Sequence, residues 1–89
     1  MTEEIRVLTI NEDGTWIAQG LEHDICVQAD SYDAIFGRFE VALRLEEEET
    51  GLENVGPAPD HFFQMWDRRA GDVSRNETSE SKFKIGIAA

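Results

Sequence analysis

The residues with the widest chemical repertoire crowd one short stretch: Glu22, His23 and Asp24, with Cys26 just beyond. A metal site built on them would need further His or Cys ligands at defined spacing. The chain offers just one more histidine, His61, and no second cysteine. A nucleophilic cysteine would need a histidine poised to activate it, and nothing in the order of residues sets His61 beside Cys26. Asp24, Asp30 and Asp33 could in principle converge on paired metals, as nuclease chemistry demands. Each instead falls at the start of a strand or helix, where turn and cap roles explain it. The expectation is a protein that is not an enzyme, with no catalytic residue, cofactor or metal. The connection Glu22-His23-Asp24 then reads as a polar surface, and as a candidate place for a partner.

Charge carries the stronger message. The 89 residues hold 19 acidic and 8 basic side chains, a formal net charge of −11. The imbalance is uneven, because residues 1–67 carry 16 acidic and 3 basic groups, net −13, and residues 68–89 carry 3 and 5, net +2. Affinity for nucleic acid depends on neutralising phosphates with Lys and Arg, and the main body would repel a duplex. No direct nucleic-acid contact is expected, and a basic protein fits better; acidity that serves solubility alone is the plainer account. Glu46-Glu47-Glu48-Glu49 at a helix C-terminus opposes the helix dipole. It reads either as a fraying solvated end or, with Glu53, as an acidic patch for a basic partner.

The length fits one domain spanning residues 1–89 with one core. There is no apolar run long enough to span a bilayer and no apolar leader after Met1. A single cysteine permits no internal disulfide, in keeping with a reducing compartment. The expected location is the cytoplasm, away from membranes.

These side chains must be positioned by an α+β frame. Residues 4–10, β-branched and apolar, predict a strand. Asn11-Glu12-Asp13-Gly14 predicts a hairpin, followed by strands over Thr15–Gln19 and Ile25–Ala29. Asp30 or Ser31 can cap a helix. Tyr32, Ile35, Phe36, Phe39, Ala42 and Leu43 then form one apolar stripe of it, up to Glu49. Thr50-Gly51 ends that helix. Pro59 and Asp60 suit the first turn of a second helix, with Phe62, Phe63, Trp66 and Ala70 as its stripe. Residues 71–81 read as a flexible loop, and 82–87 alternates as a C-terminal strand.

The predicted order is β-β-β-α-α-β, a small antiparallel sheet with helices on one face. Such a layer leaves the second face partly apolar and uncovered, the mark of a protein contact. Gln19 and Gln28 are expected on that exposed sheet. The aromatic helix at 59–70 reads as core, or as an anchor for a second subunit.

Residues 14–36 resemble the core of the HicB-type antitoxin family. That family has an aromatic-rich second strand after a Gly turn, then Leu/Pro-x-x-Asp-Ile/Leu, then Gln-Gly-Asp-Thr/Ser-x-x-Glu/Asp-Ala opening a helix. The matching residues are Gly14, Trp16, Ala18, Leu21, Asp24, Ile25, Gln28, Asp30, Ser31, Asp33 and Ala34. Ala29 stands where a Gly is usual, and Gly37 interrupts a helix that usually has none. The resemblance implies a partial RNase-H-like β-β-β-α-β fold. It also implies a partner, a small basic mRNA-cleaving toxin whose active site is masked. Many members carry a C-terminal operator-binding domain, which residues 50–89 do not resemble. On this reading the partner-binding residues are Gln19, Glu22, His23, Asp24, Gln28, Glu46, Glu47, Glu48 and Glu49. The alternative is a homo-oligomeric structural or regulatory domain without a toxin; in either case a homo-oligomer, a dimer first of all, is expected.

Overall fold

The computed structural model describes residues 4–68, 74–77 and 82–87. Strands β1 (Glu4–Glu12) and β2 (Thr15–Gly20) form a hairpin, followed by β3 (Cys26–Ala29) and helix α1 (Tyr32–Glu49). Helix α2 (Asp60–Arg68), β4 (Ser74–Glu77) and β5 (Lys82–Ile87) complete the order. The class is α+β, with two α-helices among the described residues and a mixed sheet ordered β3-β2-β1-β5-β4.

Local chemistry explains the first elements. Asp13 and Gly14 both take positive φ, 53° and 88°. Two such residues between Glu12 and Thr15 make the tight turn whose twist matches a hairpin. The Ser31 side chain accepts a hydrogen bond from the Ala34 amide, capping α1. At the other end the amides of Thr50 and Gly51 both donate to the Glu46 carbonyl. Trp16, Tyr32 and Phe36 stack edge to face, each neighbouring pair with centroids 4.8 Å apart, and seat the start of α1 over β2.

Two features correct the sequence reading. The sheet is mixed and not antiparallel: β5 returns parallel to β1, with Val7 opposite Ile85. A parallel neighbour needs a crossover connection, which the helical segments supply. The helices do not share one face. Ile5 and Val7 of β1 join Ala18, Ile25, Ala29 and Ile85 beneath Ile35, Phe39 and Leu43 of α1. Leu8 of the same strand points the other way, and packs with Leu21, Ala58 and Trp66 of α2.

The physical reason is the period of two along β1, which sends apolar groups to both sides. The aromatic load of α2 is the cover for the second side. Arg6 helps to fix it there, its guanidinium 5.2 Å from the Phe63 ring centroid and 5.9 Å from that of Trp66.

A third correction concerns the predicted loop 71–81. Ser74–Glu77 pairs antiparallel with β5 as an edge strand. Four polar residues carry no alternation to detect, and main-chain pairing makes the strand. The rest of that expected loop, like residues 69–70 of the expected second helix, lies outside the described residues.

Candidate functional site

The connection between β2 and β3 is a clamp, not an open loop. The Leu21 amide donates to the Arg6 carbonyl, the Ala58 amide to the Leu21 carbonyl, and the Asp24 amide to the Gly56 carbonyl. Gly20 permits this fold-back, since a Cβ there would lie 2.7 Å from the His23 carbonyl oxygen and 3.0 Å from Phe39. Glu22 turns inward to Arg6. It accepts from the Arg6 amide at 2.7 Å and from its Nε at 2.6 Å. His23 is buried, and its Nδ1 meets the Val55 carbonyl at 2.9 Å, so that nitrogen carries the proton.

Gln19 is also buried, not on an exposed sheet as expected. Its amide donates to the Gly20 carbonyl at 2.9 Å and to Asp24 Oδ1 at 2.8 Å. The covering of β1's second face extends over this end of β2, and a buried amide keeps its place only when bonded. Gln19, Glu22 and His23 therefore hold the scaffold, with Gln19 and His23 buried and Glu22 paired to Arg6.

The remaining candidates come together elsewhere. β3 and α1 run antiparallel, so the start of β3 lies beside the end of α1. Asp24, Cys26, Glu46 and Glu49 thereby line one open recess of about 390 Å³, floored by Ile25, Ala42 and Leu45. Glu47 and Glu48 are exposed next to it. No basic residue occupies the last turn of α1, so carboxylates and helix dipole add to one negative end. Partial burial, and then the Asp24 carboxylate, push the Cys26 thiol above its ordinary range. Among the described residues no three His, Cys, Asp or Glu side chains converge closely enough to hold a metal ion.

The recess opens into an apolar groove of about 480 Å³ between β3 and the outer flank of α1. Val27, Gly37, Val41, Ala42 and Leu45 line it, with Gln28 and Arg38 at one end. Ala42 and Leu45 belong to both hollows, which makes them one surface. Val41 and Leu45 stand 58% and 49% exposed, the large apolar side chains left open on the described surface.

Sequence reasoning missed these two. Their signal was present as a second stripe at i, i+4 and i+8, Gly37-Val41-Leu45, beside the stripe that packs the core.

Beside the groove runs a free sheet edge, since β3 pairs with β2 alone among the described strands. The Gly20 amide donates to the Ile25 carbonyl, in register with the β2–β3 pairing. Hydrogen-bonded positions alternate along an antiparallel ladder. Ile25, Val27 and Ala29 therefore bond inward, and the main-chain groups of Cys26 and Gln28 point off the edge. Gln28 itself is exposed, as expected.

Compared with known families, curated proteins and solved structures, the chain matches none. No helix among the described residues is long and apolar enough to cross a membrane.

Proposed function

We propose that this chain is a protein-binding domain of the HicB antitoxin type. It neutralises a small basic mRNA-cleaving toxin by covering the toxin's active site. The observation that carries the reading is the convergence of Asp24 with Glu46 and Glu49 around one open recess. The carboxylates steer a basic protein towards that end of the molecule, and close contact with them there slows its departure.

Two further features support the family reading. The meander β3-β2-β1 with a parallel strand beside β1 is compatible with a partial RNase-H-like sheet. The residues that carry the resemblance also hold structural posts here: Gly14 in the turn, Ser31 as helix cap, and Asp24 as acceptor for Gln19. The contact is drawn more narrowly than the sequence implied, to Asp24, Gln28 and Glu46 through Glu49.

The test is co-expression with each small basic protein whose gene is found to neighbour that of this chain. Relief of that protein's growth arrest, lost in an Asp24→Lys/Glu46→Lys/Glu49→Lys variant that still folds, supports the proposal. Growth arrest that persists with the native chain present refutes it.

A further inference from the structure

We propose that two copies of this chain pair about a two-fold axis along the free edge of β3, joining their sheets and burying the groove of each copy against α1 of the other. This goes beyond the toxin-masking reading: it gives the apolar groove to a second copy and leaves the acidic end of each copy to the basic partner.

The edge is self-complementary. With the axis at Val27, Cys26 of each copy stands opposite Gln28 of the other. The outward amide and carbonyl of both residues are then satisfied by four main-chain hydrogen bonds. An axis normal to the sheet keeps both α1 helices on one side, antiparallel. Val41 lies midway along the groove, nearest the axis. Gly37 and Leu45, four residues either side of it, are then level with each other across the interface.

Shape and charge agree with that register. A Cβ on Gly37 would meet nothing within 4 Å in the single chain. The space left there receives Leu45 of the second copy. Arg38 lines the same groove and forms no ion pair among the described residues. The pairing brings it level with Arg44 of the other copy, whose guanidinium is already paired with Glu40, and within one helical turn of that copy's Glu46 and Glu47. The surface therefore carries its positive and negative groups at opposite ends of one apolar strip, the arrangement an isologous contact requires. Glu47 and Glu48 stay outside, so the pair offers a basic partner two acidic ends.

Sedimentation of the full chain, with three variants, tests this. The wild-type chain is expected at twice its 10.1 kDa mass. Gly37→Leu replaces the poorest ordinary helix former at an open position. It is expected to keep or raise the melting temperature while weakening pairing at least ~tenfold, a difference readable directly in the dissociation constant. Gln28→Pro removes one outward amide, which a lone edge strand tolerates, and is likewise expected to be monomeric. Val27→Cys combined with Cys26→Ser sets two thiols across the axis at a Cα separation of about 4.5 Å, within disulfide reach. Oxidation is expected to give a covalent dimer that reductant reverses.

A monomeric wild-type chain at its highest soluble concentration overturns the proposal. So does a dimer indifferent to Gly37→Leu and Gln28→Pro, or an oxidised double variant that stays monomeric. A wild-type chain that is monomeric alone, and protects Val27 only when a basic protein is bound, assigns the groove to that protein and equally overturns self-pairing.

Discussion

Replacing Trp66 with Ala removes the main anchor of α2 from the second face of the sheet. Trp66 is 5% exposed and packs with Leu8, Leu21 and Ala58. Deleting a buried Trp side chain in this way costs about 3–5 kcal/mol through lost transfer energy and the cavity left behind. The guanidinium of Arg6 also loses one of its two aromatic neighbours, worth about 0.5–1 kcal/mol. A chain of 89 residues has a total stability of roughly 4–13 kcal/mol, so the substitution removes a large part of it. Urea unfolding of Trp66→Ala, followed by far-ultraviolet circular dichroism, reads the loss as a lower midpoint. At about 4–8 °C per kcal/mol, the melting temperature falls by more than ~12 °C. A loss below about 1 kcal/mol would refute the reasoning, because a solvent-exposed helix would behave so.

Gly20→Ala sets a Cβ against the His23 carbonyl and Phe39, and is expected to destabilise by about 1–3 kcal/mol; calorimetry checks it. Glu22→Ala strips the acceptor from both the Arg6 amide and its side chain, and is expected to cost about 1–3 kcal/mol in chemical denaturation. Cys26 is held protonated beyond its ordinary range by burial and by Asp24. Its alkylation rate therefore rises with pH only above that range, and Asp24→Asn moves the midpoint down; an unchanged or higher midpoint would contradict this cause.

Much of the frame was legible in the order of residues. Ser31 and Thr50-Gly51 mark the ends of α1, and Asp13-Gly14 marks the hairpin, because caps and turns are local chemistry. The apolar residues on both sides of β1 were legible as well. The aromatic residues of α2 are what cover the second side, and that pairing of facts lies across about sixty positions of chain, where periodicity says nothing. The same distance hid the clamp. Glu22 and His23 look like surface residues until Arg6, Val55 and Gly56 are brought to them. The parallel partner of β1 was hidden because it depends on which side of the sheet the chain returns to. Val41 and Leu45 were hidden for a different reason: their stripe overlaps the stronger core stripe on the same helix. Asp24 and the run Glu46–Glu49 were each singled out, but only the antiparallel packing of β3 and α1 makes them one surface.

The central claim is that the acidic end formed by Asp24 and the last turn of α1 receives a small basic protein. Calorimetric titration of the folded chain with a purified small basic protein, taken from a gene found to neighbour its own, is the direct check. Stoichiometric binding is expected, weakening as salt rises and lost in the folded Asp24→Lys/Glu46→Lys/Glu49→Lys variant. No heat of binding, or binding that the variant retains in full, would contradict it.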